Sequence, residues 1–365
     1  MIRSGGLVAF PTETVYGLGA DAFNTRALAR VFEAKGRPRF DPLIIHIAES
    51  QALGHVARLS ALSPGRRTLV EKCAAAFWPG PLTLVLPKQP GVPDLATAGL
   101  PTAAVRCPGH PAARALIGLS GRGGKPGAVA APSANPFGRL SPTRAEHVVA
   151  GLGEKIDCVM DGGPCSVGVE STVLDLSSSR ITLLRPGGVT REDLEKVIGP
   201  IGACSSVSGG ADTDGPDAAA SGTAGVAGAA GPGLPGPEPG RLSPGLLKSH
   251  YAPFSPLFLH DAKEMAALPY KKDEAYLFFS NKSRLVWSKN ALENTSRAGK
   301  EDSGSCVLVL SEKGSVLEAA ANLFEYLRRL DGLARIHAET LPKEGLGAAV
   351  NDRLRRASCS AQTKG

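Results

Sequence analysis

Short apolar runs and helical patterns alternate along the first two hundred residues of the chain. A strand covered on both faces is apolar at successive positions, whereas a helix with one buried face repeats its apolar positions every three or four residues. By the first criterion, strands are predicted at residues 7–10, 43–47, 82–86, 103–106, 128–131, 159–163, 172–176 and 181–184. By the second, helices are predicted at residues 25–35, 51–62, 66–77, 111–119 and 143–150. The order has no regular βαβ period, which favours an open, twisted α/β sheet with antiparallel portions.

The stretch from residue 8 to residue 46 combines most of these signals. Its first strand stops at Pro11, and a polar turn at residues 12–14 follows. We interpret the next segment, with Gly17 and Gly19, as a glycine turn, because glycine permits a positive φ or a close approach of the backbone to a ligand. The helix then ends in a basic segment, residues 35–39, before the strand that carries His46. Polar groups therefore gather in the connections, where α/β proteins keep their sites.

The second half of the chain is different in composition. Residues 203–242 are rich in glycine, alanine and proline and contain no aromatic residue, so we predict a disordered linker between a first domain, residues 1–202, and the rest. From residue 256 to 365 a smaller domain is predicted, with strands at 257–259, 275–279 and 307–310 and helices at 316–330 and 345–356. Alternating strands and helices indicate a Rossmann-like sheet, but without a GxGxxG turn no dinucleotide site is predicted there.

Composition narrows the class of protein. The chain has 365 residues, which suffices for two domains, and its 42% hydrophobic and 21% charged residues are ordinary for a globular protein. The seven scattered cysteines form no CxxC pair, so neither a zinc site nor a disulfide framework is indicated. No apolar run is long enough to span a membrane. The net charge of +7 suits anionic substrates such as nucleotides and would permit weak contact with RNA.

Four basic residues are candidates for binding phosphate. Because the chain has no GxxxxGK[ST] loop, nucleotide chemistry would need dispersed cations, and these are Lys35, Arg37, Arg106 and Arg185. Lys35 and Arg37 follow a predicted helix, where a cation also interacts favourably with the helix dipole, so a solvated helix end explains either one equally well. Arg106 and Arg185 end buried strands, a placement that favours a functional role.

Small hydroxyl and amide groups at junctions of strands and loops form a second set of candidates. They are Thr12, Thr14, Thr102, Ser133, Asn135, Ser141, Ser171 and Thr172. Each can also be explained by turn or capping chemistry. His46 alone fits a core or rim histidine, and Glu13 and Asp161 are possible carboxylates beside a metal. No Ser-His-Asp order can be assembled, which argues against a hydrolase triad.

Several motifs occur in an order that resembles a known family. They are FPTETVYGLG, KGRP and PLIIHI in the first stretch, AVRCPGHP at 104–111, AAPSAN at 130–135, GVEST at 168–172 and LLRPG at 183–187. Together they resemble the threonylcarbamoyl-AMP synthase family, with its YrdC-like domain, over roughly residues 5–199. SPGLLKSHYAP at 243–253 and GLGAAVNDRLRRA at 345–357 extend the resemblance to the long, two-domain form of that family.

The resemblance implies a reaction and a set of partners. Members of this family condense L-threonine, bicarbonate or CO2 and ATP, with Mg²⁺, into threonylcarbamoyl-AMP and release pyrophosphate. A downstream transferase complex then modifies an adenosine in tRNA. By resemblance we expect a nucleotidyltransferase in the cytoplasm, or an organellar form, with no membrane partner and at most weak contact with tRNA or double-stranded RNA. The family usually has a strand and a helix before the first motif, and both are expected to be missing here.

The resemblance also implies which residues form the site. L-threonine would contact Thr14, His46, Arg106, the backbone at Ala131, and Ser171. ATP would contact Arg37, Asp41, Thr102, Ser133, Ser141 and Arg185. Lys35, Arg37 and Arg106 would be the catalytic residues, and no resident metal ligand is implied. Residues 243–255 would fold towards the site as a lid with Lys248, His250 and Tyr251 as candidates, although the family usually carries an aromatic residue where Lys248 stands.

Two alternatives to a synthase remain open at this point. A basic surface would also suit an RNA-binding module that holds tRNA or double-stranded RNA without making an adenylate. A regulatory paralogue that binds the adenylate without synthase activity is the second alternative, and the short N-terminal segment suggests it.

Overall fold

The computed structural model of the protein describes residues 1–203, 250–294 and 306–359. The predicted linker therefore lies outside the described residues except for Ala203, as does the part of the 243–255 motif before His250, with its lid candidate Lys248. Side chains are described for residues 1–202, 250–290 and 306–359.

Among the described residues, ten strands form one mixed sheet in the first part of the chain. They are β1 (Val8–Phe10), β2 (Gly17–Asp21), β3 (Ile44–Ile47), β4 (Leu82–Pro87), β5 (Thr102–Arg106), β6 (Ala128–Ala130), β7 (Cys158–Val159), β8 (Thr172–Asp175), β9 (Thr182–Arg185) and β10 (Gly202–Ala203). Their spatial order is β10-β9-β8-β4-β5-β3-β6-β2-β1-β7. β3 and β5 run parallel, while β4 is antiparallel to β5 and β6 is antiparallel to β3. The prediction of an open α/β sheet with antiparallel portions is confirmed.

Seven helices accompany this sheet in the described residues. They are α1 (Thr25–Lys35), α2 (Leu53–Val56), α3 (Pro64–Phe77), α4 (Asp94–Thr97), α5 (Pro111–Leu119), α6 (Ala145–Leu152) and α7 (Arg191–Ile198). Local chemistry explains their ends. The Asn24 side chain accepts hydrogen bonds from two backbone amides at the start of α1, and Gly36 ends the helix at φ 61°. Pro64 begins α3, where its missing N–H costs nothing.

The two faces of the sheet have different surroundings. Successive side chains of a strand point to opposite faces. On β3, Ile45 and Ile47 join the main core, which also contains Val70 and Cys73 of α3. Ile44 and His46 project from the other face, together with Arg106 of β5, and this face lines a cavity. The sheet therefore has a helix-covered apolar face and a face that holds polar chemistry.

The segment predicted as a glycine turn is a strand instead. Residues 17–21 form β2 and pair antiparallel with β1, so that Gly17 lies opposite Phe10 and Gly19 opposite Val8. Neither glycine has a positive φ. A Cβ on Gly19 would lie 2.8 Å from both the Phe10 ring and Val129, and therefore close packing is the reason for glycine at this position.

Three further predictions need correction. Residues 51–62 do not form one helix, because the backbone is extended at Ala57, which bridges to Lys88 beyond β4. The helix predicted at 143–150 begins at Ala145 and ends at Leu152. The strand predicted at 159–163 is reduced to β7, which pairs with β1 through only two residues.

The second part of the chain forms a smaller parallel sheet. Its strands are β11 (Leu257–His260), β12 (Glu274–Ser280), β13 (Val307–Ser311) and β14 (Arg335–Glu339), in the order β11-β14-β12-β13. Its helices are α8 (Ala262–Ala267), α9 (Asn281–Asn294), α10 (Val316–Leu330) and α11 (Leu346–Ser358). The Rossmann-like α/β prediction is confirmed, although β14, α8 and α9 were not predicted from the sequence.

The two parts share buried contacts. Val15, Leu140 and Val169 of the first part lie in one apolar cluster with Tyr251 and the inner face of α10. Arg328 of α10 donates a hydrogen bond to the Leu140 carbonyl at 2.6 Å. As a result, the second domain packs against the rim of the cavity. In the described residues, no helix has the length and apolar character needed to cross a bilayer.

Candidate active site

A cavity that is partly open to solvent lies over the polar face of the large sheet. Its walls come from β3, β5, β9, the turn before β2, the loop after β6 and the segment after the undescribed linker. The lining residues are Thr12, Thr14, Val15, Gly17, Arg37, Ile44, His46, Arg106, Ala131, Pro132, Ser133, Glu170, Ser171, Arg185, His250 and Tyr251. The three arginines among these residues suit an anionic ligand.

Most of the predicted site residues meet at this cavity. Those that line it are Thr14, Arg37, His46, Arg106, Ala131, Ser133, Ser171, Arg185, His250 and Tyr251. Lys35, Asp41 and Ser141 are buried behind the lining. Thr102 is the exception, since it pairs with Pro87 at the opposite end of β5 from Arg106. Four residue steps along a strand separate those two residues by about 13 Å.

Arg37 and Lys35 are anchored differently. The Arg37 guanidinium forms a 2.8 Å ion pair with Asp41, and its Nη2 donates to the Pro42 carbonyl. Lys35 Nζ donates to the carbonyls of Ser133, at 2.6 Å, and Asn135. Burial and the nearby Arg37 hold the pKa of Lys35 well below its usual value. Lys35 thus ties the loop after β6 to the end of α1.

Glu13 holds Arg106 in place. Arg106 Nη2 donates to Glu13 Oε1 at 2.7 Å, and the other carboxylate oxygen accepts from the Gly109 amide at 2.9 Å. Burial alone would raise the pKa of Glu13, but the charge and hydrogen bonds of Arg106 bring it below its usual value. In the described residues nothing accepts a hydrogen bond from Arg106 Nη1, so this nitrogen is available to a ligand. Glu13 therefore orients Arg106 through an ion pair. The sequence had suggested instead that Glu13 is a carboxylate beside a metal.

The turn after β1 orients a hydroxyl group. Thr12 Oγ1 donates its one proton to the Val15 carbonyl at 2.6 Å and also lies 2.8 Å from Thr14 Oγ1. Because the Thr12 proton is already used, Thr14 must be the donor in the second bond. The remaining lone pairs of Thr14 can therefore accept a hydrogen bond from a ligand.

Ser171 and Arg185 form a connected pair in the wall of the cavity. Arg185 Nε and Nη2 both donate to the Ser171 carbonyl, at 3.1 and 3.0 Å. Nη2 also lies 3.2 Å from Ser171 Oγ, which contacts Thr83 Oγ1 at 2.8 Å. Burial lowers the pKa of Arg185. Two backbone contacts thus hold this guanidinium while it faces the cavity.

The segment after the undescribed linker covers the cavity. Ala252 N donates to the Gly138 carbonyl at 2.8 Å, and the Arg139 guanidinium stacks on Phe254 at 3.6 Å from the ring centroid. Tyr251 adopts a left-handed backbone conformation, φ 62°, which is strained for an aromatic residue. His250 is buried with Nδ1 lacking a partner among the described residues. His250 and Tyr251 therefore line the cavity, and their role as a lid stays a prediction.

Glu170 was not among the predicted site residues. It lines the cavity, its Oε1 accepts from Ser141 Oγ at 2.5 Å, and its Oε2 accepts from Arg353 Nε of α11 at 2.8 Å. The GVEST and GLGAAVNDRLRRA motifs contain these two residues, so the motifs could have marked both as candidates for the site. The two motifs, however, gave no reason to pair residues so far apart in sequence.

Two buried histidines of the cavity are neutral. Burial, with the positive charge of Arg106 next, lowers the pKa of His46 to about 3, and its Nδ1 lies 3.2 Å from the Ile44 carbonyl. Burial and the surrounding arginines keep the pKa of His250 well below its usual value. Both rings are therefore hydrogen-bonding groups and not charges at neutral pH.

One group of side chains outside the cavity has the spacing of a metal site among the described residues, namely Glu146, His147 and Glu325. His147 Nδ1 accepts from the Thr143 amide, which places the ring proton on Nε2, 3.0 Å from Glu325. Arg144 also pairs with Glu325, at 3.3 Å. These contacts describe an ion pair between α6 and α10 and leave no lone pair of His147 for a metal.

Fold and site together define a two-domain α/β protein with an arginine-rich cavity between its sheet and a lid segment. Two family models match the chain. One, described as "Telomere recombination", matches residues 1–187, and another, described as "Threonylcarbamoyl-AMP synthase, C-terminal domain", matches residues 189–359.

Curated relatives match both parts in one alignment. The threonylcarbamoyl-AMP synthase of Pyrococcus abyssi is 41% identical over 359 residues, which cover 98% of this chain and 92% of the relative. The threonylcarbamoyl-AMP synthase of Bacillus subtilis is 38% identical, with 98% and 91% covered. The crystal structure of P. abyssi Sua5 complexed with L-threonine matches with a TM-score of 0.73 at 38% identity, over 99% of this chain and 92% of that one. The chain belongs to the threonylcarbamoyl-AMP synthase family.

Proposed function

We propose that this protein is an L-threonylcarbamoyladenylate synthase, a nucleotidyltransferase that makes threonylcarbamoyl-AMP and pyrophosphate from L-threonine, bicarbonate or CO2, and ATP. The observation that carries the proposal is the meeting of Arg37, Arg106 and Arg185 at one partly enclosed cavity. Relatives with this name over the full chain support it, and they favour a synthase over an RNA-binding module or a regulatory paralogue.

L-threonine occupies the part of the cavity near Arg106. The guanidinium fork of Arg106 binds the carboxylate, because planar donors match two carboxylate oxygens. Thr14 Oγ1 accepts from the amine, since its own proton is used in the bond to Thr12. His46, the backbone at Ala131, and Ser171 complete this part of the site and come from the same lining. The similarity of this chain to P. abyssi Sua5, which was crystallised as a complex with L-threonine, supports the assignment of this ligand.

ATP occupies the part near Arg37 and Arg185. These two guanidinium groups neutralise the phosphates, and Ser133 is the hydroxyl of the lining beside them. Asp41 and Lys35 act from behind the lining, the first by orienting Arg37 and the second by holding the loop that carries Ser133. Ser141 acts through Glu170. Thr102 would reach ATP only if the nucleotide extended to the other end of β5.

The reaction needs little acid–base chemistry from the protein. The deprotonated amine of L-threonine attacks CO2 and gives a carbamate as the nitrogen releases a proton to water. A carbamate oxygen then displaces pyrophosphate at the α-phosphorus of ATP. The neutral His46 and His250 contribute hydrogen-bonding groups and no charge. Catalysis therefore comes from positioning and from electrostatic stabilisation of the phosphates. His250 and Tyr251 exclude water from the cavity when ATP is present.

Mg²⁺ would act with the nucleotide. Among the described residues, each carboxylate at or behind the cavity wall, namely Glu13, Asp41 and Glu170, already pairs with an arginine. Mg²⁺ would thus be held chiefly by phosphate oxygens and water, which is how this ion commonly binds in nucleotide sites. Chelation of Mg²⁺ with EDTA should abolish pyrophosphate release, and Mg²⁺ added in excess of the EDTA should restore it. Full activity in EDTA would contradict this role.

The organisation of the chain follows from the same proposal. Residues 1–202 form the catalytic domain, residues 243–255 include the lid, and residues 256–365 form the smaller domain. The product is passed to a downstream threonylcarbamoyl-transferase complex for modification of tRNA. The enzyme works in the cytoplasm or an organelle.

A pyrophosphate-release assay tests the proposed function. ATP, bicarbonate, Mg²⁺ and a panel of amino acids are supplied to the protein and to the Arg106→Ala variant. Release that requires L-threonine and is lost in the variant is the expected result. Salt-dependent RNA binding by a folded protein that releases no pyrophosphate and binds no ATP would support the RNA-binding alternative instead. Adenylate binding without release would support the regulatory paralogue.

A further inference from the structure

Arg353 of the second domain is buried against the wall of the cavity. Its side chain is 1% exposed. Nε donates to Glu170 Oε2 at 2.8 Å, and Nη1 donates to the Pro186 carbonyl at 2.6 Å and lies 3.1 Å from Asp352. The guanidinium carbon also lies 5.5 Å from the ring centroid of Tyr251. Arg353 therefore contacts the cavity wall, the residue after Arg185, and the lid, although it does not line the cavity itself.

We propose that Arg353 is a positioning residue that neutralises Glu170 from the second domain and thereby keeps the cavity positive enough to bind a polyphosphate. The inference rests on the proposed function, since it assigns Arg353 to the ATP part of that same site. Glu170 is the link, because it faces the cavity and meets Arg353 from behind.

The charges around the cavity give the physical reason. Glu13 and Asp41 each bond an arginine of the lining directly. Glu170 instead bonds Arg353, and its charge also acts on Arg185, which contacts the Ser171 carbonyl. If Arg353 lost its charge, Glu170 would remain as a buried carboxylate that faces the phosphates, with a hydrogen bond from Ser141 and the attraction of Arg185. A buried carboxylate without its partner strongly opposes a nearby anion.

Arg353 also determines the orientation of Glu170. With Oε2 bound to Arg353, Oε1 points to Ser141 Oγ and accepts a hydrogen bond from it. The same guanidinium faces Tyr251, where a cation over an aromatic ring is attracted to the ring face. One side chain of α11 thus connects the charge of the wall, a predicted ATP contact and the lid.

The test compares Arg353→Met with the double variant Arg353→Met/Glu170→Gln. We expect Arg353→Met to raise KM for ATP at least tenfold and KM for L-threonine less than threefold. In the double variant no unpaired carboxylate remains, so KM for ATP should return to within threefold of the wild type. Arg353→Lys, which keeps the charge but loses the fork, should lie between wild type and Arg353→Met.

Glu325→Gln is the matched control. Glu325 also joins the second domain to the first, through His147 and Arg144, but it does not line the cavity. This variant should leave both KM values within twofold of wild type. Because KM does not depend on the amount of folded enzyme, loss of stability alone would not reproduce the expected pattern.

Binding of inorganic pyrophosphate, measured by calorimetry, separates the inference from the proposed function. A wild-type protein that binds pyrophosphate but makes no adenylate would contradict the function, while weaker binding in Arg353→Met and recovery in the double variant would still support the inference. The inference is overturned if Arg353→Met raises KM for ATP and KM for L-threonine equally. It is also overturned if the addition of Glu170→Gln to Arg353→Met does not lower KM for ATP again.

Discussion

The three arginines of the cavity are each held by a different kind of partner. Arg37 pairs with Asp41 four residues along the chain, Arg106 pairs with Glu13 from another element, and Arg185 bonds the backbone of Ser171. An arginine held in this way loses little side-chain entropy when a ligand binds, because its rotamer is already selected. The cavity is thus organised for an anion before the anion arrives.

Replacement of Arg106 by lysine tests this view at a single residue. Lysine keeps the charge but cannot bond Glu13 and a carboxylate with one planar group. A charged hydrogen bond contributes about 1.5–3 kcal/mol, so KM for L-threonine should rise about 10-fold to 150-fold, with a smaller change in KM for ATP. Steady-state pyrophosphate release at varied L-threonine measures the effect. Arg114→Lys, at an exposed arginine of α5, is the control. An increase confined to KM for ATP would place Arg106 with the nucleotide.

Single residues of the site could be predicted only where local pattern carries the information. Arg106 and Arg185 were found because each ends a buried strand, and the structure has both at the cavity. The partners of these residues could not be found in that way. Glu13 precedes Arg106 by 93 residues, and Glu170 precedes Arg353 by 183. Only the tertiary fold determines which carboxylate meets which arginine.

At the scale of elements, backbone pairing overrides local propensity in two places. Residues 17–21 contain two glycines and yet form a strand, because β1 supplies partners and the Phe10 ring fills the space that side chains would occupy. Residues 51–62 have a helical pattern, but Ala57 instead pairs with Lys88. A local cap did not suffice everywhere, because α8 was not predicted although Asp261 and Glu264 form a capping box at its start. Other elements were predicted well. The helix predicted at 111–119 has the predicted bounds, with His110 and Pro111 at its start.

Gly19→Ala tests the packing explanation for β2. The new methyl group would meet Phe10 and Val129 at 2.8 Å, so we expect a loss of about 1–3 kcal/mol in the free energy of unfolding. Chemical denaturation measures the loss. Gly65→Ala in α3 is the control, because a Cβ there has no neighbour within 4 Å and alanine favours a helix. An unchanged stability of Gly19→Ala would show that β2 does not need glycine for packing.

For the whole molecule, buried neutral histidines connect folding to pH. Burial lowers the pKa of His46 to about 3 and, with Arg328 nearby, that of His147 to about 4, and it also lowers the pKa of His250. In the unfolded chain histidine takes up a proton near pH 6.5. Below that pH the unfolded state binds protons that the folded state does not bind. Stability is therefore constant above about pH 7 with respect to these groups and falls as the pH decreases towards 4.

The His147→Gln variant isolates one of these contributions. Glutamine can keep the hydrogen bond from the Thr143 amide but does not titrate. Between pH 6.5 and 4.5 each such histidine should lower the free energy of unfolding of the wild type by about 1.4 kcal/mol for each pH unit of acidification. The variant lacks one of these histidines, so its slope should be smaller by about 1.4 kcal/mol per pH unit. Urea denaturation at pH 7.5, 6.5, 5.5 and 4.5 measures both slopes. Equal slopes would mean that His147 does not contribute.

The bond between Glu170 and Arg353 has a consequence for biosynthesis. Its two ends lie 183 residues apart, and the second end belongs to α11, the last helix described. A nascent chain can therefore pair the strands of its first domain long before the wall of its cavity acquires a balanced charge. If Arg353 acts as we propose, a product of premature termination upstream of α11 would carry the three arginines and still bind nucleotide poorly. Tight binding of nucleotide by this enzyme would then require that translation had continued through α11.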